Sequence, residues 1–465
     1  MLLSHSTFTE LVDALELCLG SSHVHLHDLE PWSHDGTELS TLPDVVVEPG
    51  STAEVAEVVR LAVVNKVPLV TRGAGSGLAG GAVPQRGGIV LSMARMNRIL
   101  EIDAPAMTVC AEAGVITGDL QAAVEAQGLF YPPDPASLSI CSIGGNVACN
   151  AGGPRAVKYG VTRNYVLGLT VVLPSGEILK LGSKTHKQAS GYGLLHLFVG
   201  SEGTLGVITE VTLRLLPKPP ARATLMALFP TLLAASTAVT SVLHHGSLPC
   251  TIELLDHTVL TAIEAHLHLG LAPQAQAMLL IEQDGLHLPA LADELAVVQA
   301  VCEAHGAFGV EIATEQHERD RLWMGRRSIY FALKALAPNL RNEDIVVPRS
   351  VIPEMVERIK AIGVETGLQI AAFGHAGDGN LHPGILFDGS DPEQRLAVEH
   401  AEAAIVRATI TLGGMVSGEH GVGLMKRAYL EDAIGPGAIA LMMQLKRGLD
   451  PHNILNPGKI FEGEE

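Results

Sequence analysis

VTRGAGSGLAGGAVP, residues 70–84, is the stretch on which the reading of this chain turns. Within it Gly75-Ser76-Gly77-Leu78-Ala79-Gly80 matches the G-x-G-x-x-G spacing of dinucleotide-binding loops, and the run 67–71 ahead of it reads as a strand. The nicotinamide form of that loop must open a long helix. Here Gly81, Pro84, Gly87 and Gly88 follow, so no long helix is expected and the nicotinamide reading is rejected. Successive glycine N–H groups without side chains can still form a nest around an anion such as a pyrophosphate. Arg72 adds a positive charge beside it, and a plain surface turn does not need so many small residues in a row.

Working outward, two further glycine-rich loops follow: YPPDPASLSICSIGGNVACNAGG at 131–153 and GSEGTLG at 200–206. Three such loops in one region point to a large, extended, phosphate-bearing cofactor. Between them the chain alternates short β-rich runs (44–48, 88–92, 108–112, 167–173, 207–213) with a helical pattern at 52–65, capped by Ser51 or Thr52. Residues 174–177 read as a hairpin turn. LLPKPP at 215–220 is a proline-rich stop and the best domain boundary. Beyond it lie longer helical patterns, at 291–305 and 351–367, until glycine loops return from Phe373.

Composition bounds the function. With 465 residues, 47% of them apolar, the chain can bury large cores. A net charge of -19 disfavours nucleic acid and anionic membrane as partners. The six cysteines form no C-x-x-C pair, which argues against a disulfide framework, structural zinc or an iron–sulfur cluster and for a reducing, cytoplasmic setting. The uncharged stretch 224–243 holds Pro230 and reads as a strand plus a buried helix rather than a membrane span.

A second constellation carries chemistry. FGHAGDGNLHP at 373–383 places His375 and His382 across a Gly-Asp-Gly-Asn turn, with strand-like residues at 369–373 and 384–387. VSGEHGVG at 416–423 sets Glu419 beside His420. Two histidines and a carboxylate are a common ligand set for zinc, manganese or iron(II) with open positions. Adjacent side chains diverge on extended backbone, so Glu419 could face a metal and His420 a substrate. In a chain with 20 histidines, satisfied structural histidines are the competing reading. The stretch His23-Val24-His25-Leu26-His27 reads as an exposed strand face rather than a ligand set. For carboxylate recognition the candidates are Arg326 and Arg327, in a helix after Trp323, and Arg341, just before residues 344–348.

Taken together, RGAGSGLAGGAVP, PPDPAS, IGGNVACNAGG, GSEGTLGVITE, GHAGDGNLHP, SGEHGVG and NPGKIF resemble the flavin-dependent D-2-hydroxy acid dehydrogenases. That group spans the glycolate oxidase flavin subunit, D-lactate dehydrogenase and D-2-hydroxyglutarate dehydrogenase, within the vanillyl-alcohol oxidase/p-cresol methylhydroxylase superfamily. The resemblance covers nearly the whole chain. It implies an α+β fold: a two-part FAD-binding domain (1–221 and 412–465) with an inserted antiparallel-sheet cap (222–411). Arg72, Gly73, Ala74, Gly75, Ser76, Gly77, Gly80 and Gly81 would hold the FAD pyrophosphate. Pro133, Asp134, Ser137, Ser142, Gly144, Gly145, Asn150 and Gly153 would line the cofactor further, with Gly206 and Ile208 near the adenine and Asn456 closing over the flavin. No histidine lies in 72–84, so the FAD is expected to be non-covalent.

The resemblance also implies that His375, His382 and Glu419 bind a divalent metal, zinc or manganese with iron as an alternative, and that His420 is the base. Hydride would pass from C2 of a hydroxy acid to flavin N5. Arg326 matches the arginine that grips the substrate carboxylate. Tyr330 and Asn342, with Arg341 adjacent, depart from the residues that serve 2-hydroxyglutarate, so glycolate or D-lactate is the expected substrate. The implied electron acceptor is a quinone, a cytochrome or an electron-transfer flavoprotein. A homodimer or a place in a glycolate-oxidase-type complex, peripheral to the inner membrane through a partner, is the expected assembly. The rivals are D-2-hydroxyglutarate dehydrogenase, a metal-independent flavin alcohol oxidase and a non-catalytic flavin subunit.

Overall fold

The computed structural model describes residues 5–462, Ser247 apart. The chain folds as two compact units: residues 1–151, 161–218 and 419–465 form the first, and residues 152–160 and 219–418 the second. Apart from residues 152–160, the second unit is the continuous stretch 219–418. It holds 412–418 because Met415 bridges Val346 and because Ser417 and the Gly418 N–H both donate to Asp344.

In the first unit, Val45–Val47, Ile89–Ser92 and Leu69–Arg72 pair in parallel, with Val24–His25 added antiparallel at one edge. The helix Thr52–Asn65 covers this sheet. Ser51 caps it by accepting the Glu54 N–H, and Val55, Val58, Val59 and Ala62 recur at helical spacing and are buried. A five-stranded antiparallel sheet runs in the order Ile99–Asp103, Thr108–Glu112, Val207–Arg214, Val166–Val172, Ile178–Gly182, with the 174–177 turn joining the last two. After Arg72 the chain runs through turns to Ile89 with no helix, as the proline and glycines at 81–88 require. Two expectations are corrected. The loop at 131–153 contains a helix, Ile143–Cys149, whose Ser142 cap accepts the Gly145 N–H. The histidine strand at 23–27 shrinks to Val24–His25, with His25 stacked on Trp32 and bonded to Glu48.

The second unit is built on an antiparallel sheet in the order Phe308–Ala313, Ala221–Phe229, Ala277–Gly285, Thr251–Asp256, Gln369–His375, Asn380–Phe387, Asn339–Asn342, with Ile345–Val346 also on Asn380–Phe387. Side chains alternate across it. Leu225, Leu254, Ile281 and Ile385 face a core with the helices Leu232–His244, Leu288–Ala304, Ile352–Thr366 and Pro392–Thr411. Leu255, Met278, Phe373 and Leu386 face the other way, against His257–Leu267 and Ile329–Lys334. Glu253, His375 and His382 share the parity of this second face. The apolar stretch 224–243 is accounted for by Ala221–Phe229 and Leu232–His244. No helix among the described residues is long and apolar enough to cross a membrane.

Asp256 caps His257–Leu267 and sits buried, its carboxylate accepting from the Val259 and Ala372 N–H groups. Burial raises its pKa to about 6, against the pull of those N–H donors. A carboxyl raised on folding stabilises most when protonated: its contribution is complete below the ordinary carboxylate range and is lost as pH rises through about 6. D256N loses the acceptor for Ala372, a fixed penalty of about 1–3 kcal/mol, but carries no such pH dependence. Melting temperatures of the two proteins should therefore converge as pH rises from about 4 to about 6. A gap independent of pH contradicts the assignment.

Candidate active site

The first unit carries the nest. Among the described residues, no backbone N–H from Gly73 to Gly81 donates to another group. Gly77 and Leu78 are exposed, and nothing but Asp35 Oδ2, at 4.0 Å, comes near a Cβ built on Gly77. That Asp35 oxygen is itself buried and accepts no hydrogen bond, while its twin accepts from the Thr37 N–H and hydroxyl. A row of unsatisfied donors suits a pyrophosphate, and an orphaned carboxylate oxygen beside it suits a hydroxyl of the attached sugar or ribityl chain. The residues present therefore fit a flavin dinucleotide.

Arg72 does something else than expected from its charge. Its buried guanidinium donates to the carbonyls of His34 and Pro31 and fills the space where a Gly75 Cβ would lie, 2.0 Å from Nη2. It braces the nest from behind.

The remaining cofactor candidates are held by the same close packing. Gln121 donates to the carbonyls of Tyr131 and Pro133, which fixes the entry to the segment of Asp134 and Ser137. A Cβ on Gly144 would lie 2.6 Å from that of Ala113, and one on Gly206 2.6 Å from Val171. Asn150 is left-handed and takes the Arg163 N–H, Gly153 falls in the second unit, and Ile208 is buried in its sheet. Asn456 donates to the Gly81 and Glu202 carbonyls and so ties the first and third glycine loops to the C-terminal turn. Behind it, buried Lys459 donates to the Val83 carbonyl and to Asn456 Oδ1; burial lowers its pKa to about 8, with Asp35 and Glu202 opposing.

G73A tests the nest. The new methyl would lie 2.2 Å from Ser142 Oγ and dislodge that cap. Overpacking of about 1–3 kcal/mol corresponds to a roughly 5- to 100-fold loss of flavin affinity, read from the 450 nm absorbance retained after dialysis. Full retention would contradict the placement.

Glu419 and His420 open the C-terminal segment of the first unit. The extended geometry expected for them is replaced by a bend between Gly418 and Gly421, which leaves His420 Nε2 4.0 Å from Glu419 Oε1. The segment is anchored by Glu202, a buried carboxylate that accepts the Val422 and Gly423 N–H groups at 2.7 Å. Burial raises the pKa of Glu202, and the two N–H donors oppose it.

The second unit brings together His375, His382, Arg326 and a residue that the sequence reading missed. The hairpin Gln369–His375 to Asn380–Phe387 sets the two histidine rings 5.1 Å apart at 85°, both buried. Gly374, with φ +149°, leaves no room for a side chain between the strands: its Cβ would lie 2.5 Å from the Asn380 carbonyl. Glu253 stands opposite His375 in the ladder and takes its Nδ1 at 2.6 Å. Its other oxygen accepts from Arg326 Nε, and Arg326 lies over the Phe373 ring. Burial alone would raise the Glu253 pKa; Arg326 and His375 hold it down at about 2. His382 Nδ1 lies 3.9 Å from buried Asp344, which also accepts from Asn380, Ser417 and Gly418. Buried histidines backed by carboxylates are the donor chemistry of a divalent metal, and the residues of this unit fit one.

Of the expected distal-end residues, Asn342 stands opposite Gly384, two residues along the strand from His382. Arg341 donates to Glu402 at 2.8 Å, Tyr330 is half exposed against Phe331, and the buried Asn342 Oδ1 accepts no hydrogen bond.

Comparison with known proteins now decides the family. The description "FAD linked oxidases, C-terminal domain" matches residues 218–460, and "FAD binding domain" matches residues 43–182. This chain belongs to the FAD-linked oxidases. It is 44% identical over 431 residues to the glycolate oxidase subunit GlcD of Bacillus subtilis, covering 92% of each chain. It is 39% identical over 443 residues to a D-lactate dehydrogenase of Anaerostipes hadrus, covering 93% of this chain and 92% of that one. Among solved structures, p-cresol methylhydroxylase with substrate bound superposes with a TM-score of 0.83 at 20% identity, covering 98% and 97%. The oxidase is thus a flavoprotein of the α+β, p-cresol methylhydroxylase-like fold that its family resemblance implies.

Proposed function

We propose that this FAD-linked oxidase converts a small 2-hydroxy acid, glycolate or D-lactate, to the 2-oxo acid. The observation that carries the reading is the buried pair His375 and His382 beside an arginine, with Glu253 joining His375 to Arg326. The names of the relatives agree with it. The nest at Gly73–Gly81 and the Asn456 suture would hold FAD, and His375, His382 and Glu419 would hold a divalent metal. Bound there, FAD supplies a two-electron acceptor and the metal a Lewis acid that lowers the hydroxyl pKa. Arg326 grips the substrate carboxylate through its Nη edge. His420 takes the hydroxyl proton.

Arg341 favours a short acid over 2-hydroxyglutarate. A distal carboxylate would have to displace Glu402 from it. The test is dye-coupled turnover of metal-loaded enzyme with glycolate, D-lactate, L-lactate and D-2-hydroxyglutarate. The reading requires the highest kcat/KM with glycolate or D-lactate. A preference for D-2-hydroxyglutarate would overturn the size assignment, and equal turnover of a simple alcohol would overturn the hydroxy-acid assignment.

A further inference from the structure

The role of Glu253 goes beyond occupying a buried position. It is fully buried in the strand Thr251–Asp256, between Leu280 on one neighbouring strand and His375 on the other. A buried carboxylate is costly unless each oxygen is paired. Here the two oxygens serve two different functional groups. One holds His375 Nδ1 at 2.6 Å, and the other holds Arg326 Nε. With Nδ1 carrying the shared proton, the ring lone pair is on Nε2, which fixes the tautomer and raises its basicity as a ligand. With Nε taken and the guanidinium laid over Phe373, the Nη pair of Arg326 makes no hydrogen bond to any described residue and is the edge left for a carboxylate.

We propose that Glu253 is a positioning residue that sets both the metal-ligand tautomer of His375 and the orientation of the substrate-binding edge of Arg326. This rests on the function proposed above. One side chain therefore couples metal affinity to substrate affinity. Neither partner can be satisfied by a neutral isostere without cost to the other. In E253Q the amide oxygen can accept from one partner only, and the amide nitrogen presents a donor to the second.

The experiment uses flavin-loaded full-length protein. Zinc affinity is measured by competition with a chromogenic chelator, substrate affinity as KM for the preferred hydroxy acid, and folding by thermal melting. E253Q is expected to bind zinc 10- to 100-fold more weakly and to raise KM at saturating zinc by a similar factor. E253D, which keeps the charge but is too short to span both partners, is expected to recover one of the two affinities and not both. It also serves if E253Q does not fold. Wild-type zinc affinity together with wild-type KM in either folded variant overturns the proposal alone. A wild-type protein that takes up no zinc, manganese or iron(II) overturns both this proposal and the metal-dependent reading on which it rests.

Discussion

H420A lowers kcat for the preferred hydroxy acid by about 10²- to 10⁴-fold, the range that a positioned general base supplies, while the protein keeps its FAD and its fold. Gly418 and Gly421 bend the chain on either side of the Glu419–His420 pair, and Gly421 has φ +92°. A Cβ on Gly421 would lie 3.0 Å from Glu202 Oε1. The two N–H groups that follow are bound by Glu202. The imidazole therefore stands on a short segment that Glu202 fastens through the Val422 and Gly423 N–H groups. Removing the ring leaves those fastenings intact, so the loss should fall on kcat with a small change in KM. Rapid-reaction reduction of the flavin by substrate measures it. A variant that reduces its flavin at the wild-type rate would remove His420 from the proton transfer.

On the proposed metal-dependent reading, chelation or replacement of a hairpin histidine as in H382A lowers turnover by at least about 10³-fold, since Lewis-acid activation supplies several kcal/mol and each 1.4 kcal/mol is tenfold. His382 follows from the register of a two-stranded ladder: it lies opposite Phe373, and its ring meets that of His375 edge-on at 5.1 Å. Alanine at 382 removes the proposed ligand without touching the ladder hydrogen bonds, so the second unit should keep its fold, at some cost in stability for the lost buried ring. The flavin should stay, because the nest belongs to the first unit. Chelation followed by zinc, manganese or iron(II) should restore the wild type and not H382A. Full activity in exhaustively chelated protein would return the histidines to a structural role.

The glycine loops and the histidine hairpin were legible because backbone needs leave marks in sequence. Gly81, Pro84, Gly87 and Gly88 exclude a long helix after Arg72, and the His-x₆-His spacing across Gly-Asp-Gly-Asn marks a hairpin. Glu253 left no such mark. In TIELLD it reads as one alternate residue of a strand, and only the ladder register, set by residues more than a hundred positions away, places it against His375. Glu202 lay within a recognised motif, yet its two acceptors for Val422 and Gly423 depend on a long-range contact of the same kind. Arg72 shows the opposite failure. Its charge and position beside the nest suggested a phosphate partner, but the backbone carbonyls of the 31–34 loop compete for it and hold it. Charge is visible in sequence, whereas the local competition for it is not.

On the proposed function, a 2-hydroxy acid held at a metal-dependent site reduces the flavin. Anaerobic mixing of metal-loaded protein with glycolate or D-lactate, followed at the oxidised flavin band, tests it most directly. At least one of the two should bleach it, an effect abolished by prior chelation and restored by metal. Flavin that stays oxidised with every hydroxy acid in metal-loaded protein, or bleaches equally after chelation, would contradict it.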